Sequence, residues 1–576
     1  MRIILSLFLA AALSTASAQK LQTAYEKSGG TKTFTYEEGI RFCEQIDSMS
    51  EYFTLLEYGK TDAGFPLHLL VFDADKDFNP STSKEVILIN NAIHPGEPDG
   101  VEASLMMARD LAYDAKLRAA FREARILIIP FYNIGGALNR NTHSRANQVG
   151  PEAYGFRGNA KNLDLNRDFI KADAQNTFAF YKIFQTWKPH VFVDTHVSNG
   201  ADYQYTMTLI NSQEEKYGAY SAKFLKDDFL PALYSRMKKR QQEMIPYVNV
   251  HGTTPDAGVT AFMESPRYSN GYTSLFDCFS FVSETHMLKP YKQRVTSTRE
   301  LLEQMVKLSI ELQPSLVINK DRQVRASFRN EARIVNIPYA WEAKMPCDSL
   351  LFKGYTAKYK PSEVSGLDRL YYDRKAPFEK YIPFCDAFEP TGFGKSVRAY
   401  IIPQAWQEVM KRLAANGVHI DTLKNDDSLM MEVAYIETYE TVDAPYEGHY
   451  LHKNTKVSWK KTKMLVHKGD YLIIPNERTE IFLANVLQPE APDSYFNWNF
   501  FDAILQQKEW FSAYVFEDIA AEMLKNDPQL KADLEAEKAK NPEFAASAFE
   551  QLYFIYKRSP YFEPSFKRYP VYVMPF

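Results

Sequence analysis

Two residues that can bind a metal ion follow a short apolar run in the first part of the chain. His94 and Glu97 stand three positions apart, shortly after the run 86–90. Pro95 and Gly96 between them predict a tight turn that directs both side chains to one point. Zinc favours imidazole nitrogen and carboxylate oxygen, and a catalytic zinc site leaves one position for water. By itself the pair is a weak signal, because His and Glu at this spacing are frequent in solvated turns.

A third candidate ligand ends a second apolar run. The run 191–193 is followed by Asp194, Thr195 and His196. A lone histidine at a strand end is more often a satisfied core or surface residue than a ligand. Two such ends favour a metal site, because the carboxyl ends of neighbouring parallel strands meet at one edge of a sheet.

A polar segment between these two runs carries a resemblance to a known family. It reads FRGN at 156–159 and NLDLNRDF at 162–169. With the preceding His94 and Glu97 and the later His196, the order of motifs resembles the zinc metallocarboxypeptidase (carboxypeptidase A-like) family. The resemblance covers roughly residues 20–318 and indicates a secreted, bacterial-type member with a C-terminal extension.

The resemblance implies a role for each matching residue. His94, Glu97 and His196 are implied to bind one Zn²⁺, since two His and one Glu are the ligand set of carboxypeptidase A. The other implied roles are an imidazole-orienting carboxylate for Asp164, binding of the substrate's terminal carboxylate by Asn166 and Arg167, and stabilisation of the oxyanion by Arg157. A polar surface loop with incidental charges is the alternative interpretation of this segment.

The proton-transfer residue of the family lies on a late strand, where Glu284 closes the apolar run 279–282. Burial raises the pKa of a carboxyl group towards the range that acid–base chemistry needs. Pairing with a lysine is the alternative. His286 alternates onto the same side of the strand and is a candidate neighbour of the site. We assign the family's substrate-side tyrosine to Tyr268 and leave Tyr272 open, because the spacing to Glu284 is shorter than in digestive carboxypeptidases.

The elements that must position these residues are apolar strands alternating with amphipathic helices. The predicted strands are 86–89, 126–129, 191–193 and 279–282. Between the first two strands, Val101, Leu105, Ala108 and Leu111 recur at helical spacing. The predicted fold class is α/β, with a mixed, largely parallel sheet covered by helices on both faces, carboxypeptidase-like, followed by an accessory α+β region.

The 576 residues exceed what one hydrophobic core usually organises. We predict a signal peptide at 1–18, a catalytic domain at 19–318, a β-rich accessory region at 319–490 and a helical C-terminal region at 491–576. Within the accessory region, 405–413 reads as a helix that Gly417 ends. In the last region Phe511, Val515, Ile519 and Met523 recur at four-residue intervals. Pairing of Cys347 with Cys385 is left open.

Composition limits the partners. Hydrophobic residues make up 45% and charged residues 24%, as in folded soluble proteins, and the net charge of −4 gives no basic footprint for nucleic acid or anionic lipid. We therefore expect no nucleic acid and no membrane insertion. The family resemblance, through Arg167, implies a peptide substrate with a free carboxylate. Arg2, the apolar stretch 3–13 and a small-residue site before Gln19 predict a cleaved signal peptide and a secreted or periplasmic protein.

The predicted activity is zinc-dependent hydrolysis of an amide bond, most simply removal of C-terminal residues from peptides with Glu284 as general base. One alternative is a zinc amidohydrolase or cell-wall peptide hydrolase on the same scaffold. Another is a non-catalytic binding protein that keeps the fold. A third places the function in the aromatic-rich second half, as a carbohydrate-binding or adhesion domain, although aromatic β-segments more often pack a core. Side-chain specificity, exo- or endo-action and oligomeric state stay open.

Overall fold

A computed structural model of the chain describes residues 20–576, so the predicted signal peptide lies outside the described residues. The strands, in chain order, are β1 (Phe53–Lys60), β2 (Pro66–Asp73), β3 (Glu85–Asn90), β4 (Ala124–Ile129), β5 (Val191–Ser198), β6 (Met207–Asn211), β7 (Met244–Pro246), β8 (Asn249–Val250), β9 (Val259–Thr260), β10 (Phe279–His286), β11 (Asn336–Ala343), β12 (Asp348–Pro361), β13 (Asp368–Cys385), β14 (Phe388–Lys395), β15 (Ala399–Ile402), β16 (Asp421–Thr422), β17 (Asp427–Thr441), β18 (His452–Val466), β19 (Tyr471–Ile473) and β20 (Tyr572–Met574).

The α-helices, in chain order, are α1 (Ala24–Lys27), α2 (Tyr36–Met49), α3 (Asp99–Tyr113), α4 (Ala115–Ala120), α5 (Ile134–Leu138), α6 (Gln175–Trp187), α7 (Ala219–Lys223), α8 (Leu230–Lys239), α9 (Ser269–Ser274), α10 (Tyr291–Leu312), α11 (Pro314–Asn330), α12 (Gln407–Ala415), α13 (Glu480–Leu487), α14 (Ala513–Asn526), α15 (Pro528–Lys540), α16 (Pro542–Ala545) and α17 (Ala548–Tyr556). Among residues 20–576, the helices lack the combination of length and apolar character that crossing a membrane requires.

One large mixed sheet organises the first half of the chain. Its strand order is β1-β2-β4-β3-β5-β10-β6-β7. The four central strands β4, β3, β5 and β10 run parallel. The pairs β1–β2, β2–β4 and β10–β6 are antiparallel, and the edge strand β7 pairs with β6 in parallel. The predicted α/β class with a mixed sheet is therefore confirmed, and the four predicted apolar runs are its four central strands.

Helices cover both faces of this sheet because the central strands are apolar on both sides. Ile87 and Ile89 of β3 face a core shared with α2, α3, α8 and α10, whereas Leu88 faces the opposite core. Each of the three is at most 1% exposed. Such two-sided burial is the environment that continuous apolar runs predict.

The second half contributes β-structure and helices, as its sequence texture indicates. The paired strands β12 and β13 and the paired strands β17 and β18 form long antiparallel hairpins. Helix α12 ends near Gly417, whose φ of +74° is the left-handed conformation that favours glycine. A disulfide joins Cys347 to Cys385. In α14 the buried residues are Phe516 and Ala520, and the predicted Val515 is 51% exposed.

The two halves share a hydrophobic core. The core on the Leu88 face of the large sheet includes Phe180 and Trp187 of α6, and it continues into Leu413, Phe482 and Trp498 from the second half, all of them buried. The predicted division at residues 318 and 490 stays a prediction. Because one face of the sheet is covered from the second half, we expect deletion of residues 319–576 to expose this face to water.

Candidate metal centre and substrate cavity

The turn after β3 brings His94 and Glu97 together. The backbone N–H of Glu97 donates to the His94 carbonyl at 2.8 Å, which closes the turn predicted from Pro95 and Gly96. A Cβ atom added at Gly96 would lie 2.6 Å from Cδ of Arg145, so only glycine leaves room for that side chain. A Cβ at Gly100 would lie 1.9 Å from Oγ1 of Thr195, so glycine also allows α3 to start against β5.

The three predicted ligands converge although His196 lies about a hundred positions after the turn. His94, Glu97 and His196 are buried, and each offers a donor atom within 4.8 Å of the others. Nδ1 of His94 lies 3.3 Å from Oε1 of Glu97, and Nδ1 of His196 lies 3.0 Å from Oε2. Tetrahedral zinc with ligand bonds near 2.05 Å needs donors about 3.4 Å apart. Two imidazoles and one carboxylate at these separations fit a three-ligand zinc site.

Two aspartates orient the histidines. The Nε2–H of His94 donates to Asp164 Oδ1 at 2.9 Å, and the Nε2–H of His196 donates to Asp194 Oδ2 at 3.0 Å. Each contact uses Nε2 and turns Nδ1 towards Glu97, which is the orientation that a metal-binding imidazole needs. Asp164 therefore lies where the sequence prediction places it, and Asp194 has the equivalent geometry on the other histidine.

Charge around the cluster is balanced by two arginines. Arg145 donates to Glu97 Oε1 at 2.7 Å, and the backbone N–H of Val197 donates to Oε2 at 3.0 Å. Burial alone would raise the pKa of Glu97, but Arg145 and His94 outweigh it and hold that pKa well below its usual value. Arg157 donates to Asp164 at 2.8 Å. Burial would also raise the pKa of Asp164, but His94, Arg157 and Arg167 lower it instead.

Glu284 is the cross-strand neighbour of His196, since β10 pairs with β5 in parallel register at these two residues. Adjacent strands lie about 4.8 Å apart, so the carboxyl group is next to the ligand cluster. Burial is the main cause that raises the pKa of Glu284 to about 8, against the lowering effect of His196. The side chain stays partly exposed, towards a cavity.

That cavity has a volume of about 500 Å³ and opens directly over the ligand cluster. The walls contain all the residues assigned to substrate binding or chemistry, namely Arg157, Asn166, Arg167, Tyr268 and Glu284, as well as the three candidate ligands. The guanidinium of Arg167 lies over the Tyr268 ring, 4.3 Å from its centroid. Asn166 accepts a hydrogen bond from Ser269 N at 3.0 Å. These eight predicted residues therefore line one space.

Tyr268 and Tyr272 occupy different environments. Tyr268 lines the cavity, whereas Tyr272 is 0% exposed and donates its hydroxyl hydrogen to Asn416 at 2.7 Å. His286, the candidate neighbour, points away from the ligand cluster: its Nε2 pairs with the Ala201 carbonyl at 2.9 Å and its Nδ1 accepts from Leu288 N. The geometry favours Tyr268 as the substrate-side tyrosine, and His286 has a structural contact.

Three residues of the site are absent from the sequence prediction: Asp194, Arg145 and Tyr247. Asp194 stands two positions before His196, so strand alternation puts both on one face, and this signal was available in the sequence. Arg145 and Tyr247 both line the cavity. Each lies on a segment without regular periodicity, so nothing in the local sequence distinguishes them from surface residues.

Comparison with known proteins gives one family match. Residues 39–254 match the family model of zinc carboxypeptidases. This stretch contains His94, Glu97, Arg157, Asp164, Asn166, Arg167 and His196, and ends before Tyr268 and Glu284.

Among curated proteins, the chain is 22% identical to a carboxypeptidase 2 from Trichophyton rubrum over 492 residues, covering 81% of this chain and 84% of that protein. A carboxypeptidase 2 from Trichophyton tonsurans is also 22% identical, over 493 residues and the same shares. Among solved structures, a putative carboxypeptidase A from Shewanella denitrificans is 18% identical with a TM-score of 0.38, covering 48% of this chain and 69% of that chain. The stretch 39–254 therefore resembles a zinc carboxypeptidase domain, and its His94, Glu97 and His196 group could bind one zinc ion, the metal of that family.

Proposed function

We propose that this protein removes residues from the C-terminal end of peptides, with Glu284 as general base and Arg167 as the group that recognises the terminal carboxylate. One observation carries the proposal. A single cavity holds the His94, Glu97 and His196 cluster, the Glu284 carboxyl group and the Asn166–Arg167 pair. This combination suits a substrate that carries its own carboxylate beside the amide bond to be cleaved.

Each residue has a distinct task in this reaction. When bound, zinc supplies a Lewis acid that lowers the pKa of water and polarises a carbonyl oxygen. Glu284, with its raised pKa, takes a proton from the attacking water and delivers it to the leaving amine. Arg157 stabilises the negative charge that develops on the carbonyl oxygen. Asn166 and Arg167 hold the terminal carboxylate, and the Tyr268 ring packs under the Arg167 guanidinium and limits its movement.

Export from the cytoplasm is part of the proposal. The sequence at 1–18 has the pattern of a cleaved signal peptide, which rests on the sequence alone. The Cys347–Cys385 disulfide supports the same conclusion, because disulfides persist in oxidising compartments and are rare in the cytosol.

The test compares two peptides that differ only at the C-terminus, one with a free carboxylate and one amidated. We expect release of the last residue from the free acid and a rate lower by about 100-fold on the amide, read by mass spectrometry of the products. Removal of the metal with a chelator is expected to stop the reaction, and zinc is expected to restore it. Equal cleavage of both peptides would contradict recognition of the carboxylate.

The Glu284→Gln variant tests the general base. It is expected to bind one zinc per chain and to lose at least about 10³-fold in kcat, because the amide cannot accept the proton. Glu102→Gln is the control: Glu102 is a buried carboxylate that accepts a hydrogen bond from Phe34 N at 2.8 Å and lies outside the cavity. Its kcat is expected to be unchanged. Parental turnover by Glu284→Gln would show that another group is the base.

A further inference from the structure

Arg267 links the wall of the cavity to the second half of the chain. Its Nε donates to Asp493 Oδ1 at 2.8 Å and its backbone N–H donates to Oδ2 at 2.9 Å, so one carboxylate holds both the side chain and the main chain. Asp493 is 1% exposed and also accepts from Trp498 Nε1 at 3.1 Å. The guanidinium lies 5.0 Å from the centroid of the Trp498 ring. The position of Arg267 is therefore set by residues more than two hundred positions later.

The residues that follow Arg267 contact the group assigned to the substrate carboxylate. Tyr268 is the next residue, and its ring packs under the Arg167 guanidinium. Ser269 N donates to Asn166 Oδ1 at 3.0 Å. The Arg267 carbonyl accepts from Phe169 N at 3.3 Å, just beyond the Asn166–Arg167 pair. Three consecutive residues thus contact both ends of the carboxylate-binding segment.

We infer that Arg267 and Asp493 are positioning residues for recognition of the terminal carboxylate. The inference rests on the proposed function and deepens it. Replacing Asp493 leaves the Arg267 guanidinium without its charged partner in a largely buried place. The segment 267–269 then becomes more mobile. Arg167 loses the fixed ring beneath it, and Asn166 loses its donor. The Arg167 guanidinium binds a planar carboxylate in one orientation only. It therefore binds the carboxylate more weakly when the Tyr268 ring beneath it is mobile.

Metal binding and substrate selection would therefore depend on different parts of the molecule. The large sheet holds the metal ligands, while the second half, through Asp493, fixes the group that selects substrates with a free carboxylate. Neither Arg267 nor Asp493 is among the described residues that line the cavity, so both act through Tyr268, Asn166 and Arg167.

The test measures carboxylate discrimination without turnover. In the Glu284→Gln background, the dissociation constants of a peptide with a free C-terminal carboxylate and of its amidated form are determined by calorimetry on the zinc-loaded chain. The ratio of the dissociation constants, amidated peptide over free acid, reports recognition of the carboxylate alone. A general weakening of the structure raises both constants and leaves this ratio unchanged. Adding Asp493→Asn is expected to reduce this ratio about tenfold while zinc content stays at one per chain.

Asp277→Asn is the matched control. Asp277 is 3% exposed and accepts from Arg322 and Arg325, but it precedes β10, at the end of the strand opposite to Glu284. Its expected effect is a lower melting temperature with an unchanged ratio. An unchanged ratio in Asp493→Asn, or an equal loss in both variants, overturns the inference.

A conservative variant covers the case in which Asp493→Asn does not fold. Arg267→Lys keeps the charge but cannot both pair with Asp493 and lie flat on Trp498. The expected ratio is about threefold below that of the parent, and an unchanged ratio again overturns the inference. A ratio near one in the parental background would instead contradict the proposed recognition of a free carboxylate, so the two failures are distinguishable.

Discussion

The two histidines of the candidate metal centre have the same type of hydrogen-bond partner, but these partners come from different parts of the fold. His196 lies on β5, and its orienting partner Asp194 is two positions earlier on the same face of the same strand. His94 lies in a turn, and its partner Asp164 comes from a loop 70 positions later. That loop in turn contacts the second half, since Asp164 N donates to Glu447 at 2.8 Å. We call the His196–Asp194 pair the His196 arm and the His94–Asp164 pair the His94 arm. The His196 arm is formed within one strand, whereas the His94 arm depends on segments that are distant in the sequence.

The largest expected effect tests whether both arms bind the metal at all. Replacing either His94 or His196 by Ala should lower zinc affinity by more than about 100-fold. This loss is larger than the loss of about 10- to 100-fold expected when a residue that only hydrogen-bonds to a metal ligand is replaced. Peptidase activity should disappear with the metal. Zinc content is measured after dialysis against a weak chelator. Retention of zinc by one of the two variants would remove that histidine from the ligand set.

The second prediction separates the arms through their aspartates. Asp194→Asn and Asp164→Asn should each lower zinc affinity by about 10- to 100-fold. Asp194 is fully buried and also accepts from Ser269 Oγ at 2.5 Å and from Asn90, so its variant should in addition lose about 2 kcal/mol of folding free energy. Asp164 lies on a partly exposed loop and should lose less. Urea unfolding of both metal-free variants checks the difference, and equal destabilisation would contradict the comparison.

The same contrast explains what the sequence can predict. The strands and the positions of His94, Glu97, His196 and Glu284 follow from apolar runs and the residues that close them, because the periodicity of a strand is local information. Asp194 was accessible to the same argument. The contacts of Glu447 and Asp493 with the site were not, because two segments hundreds of positions apart meet only through the packing of a shared core. Val515 shows the same limit, since helical spacing alone does not say which stripe is buried.

A third histidine, His286, is buried but, within the part of the chain that the structure describes, has no hydrogen bond to a carboxylate, unlike His94 and His196. Burial lowers the pKa of His286 to about 4, so the folded state holds the neutral ring. The unfolded chain, with a histidine pKa near 6.5, binds more protons between pH 6.5 and pH 4, and stability is lost as the pH falls through this window. The His286→Gln variant should lose less stability than the parent between pH 7 and pH 5. Melting temperatures of the metal-free proteins measure this, and parallel pH profiles would exclude His286 as the cause.

The smallest expected effect tests the distant support of the His94 arm. Glu447→Ala removes the acceptor for Asp164 N, and one hydrogen bond is worth about 1 kcal/mol, so zinc affinity should fall about fivefold. Glu440→Ala, on the same hairpin, is the control: its carboxylate accepts a hydrogen bond from Asn454 on the neighbouring strand and, among residues 20–576, has no hydrogen bond or ion pair with the loop that contains Asp164. A competition titration with a chromophoric chelator resolves this difference. Because the His196 arm has its partner within its own strand, combining Glu447→Ala with Asp194→Asn should give additive losses, whereas combining it with Asp164→Asn should give less than the sum.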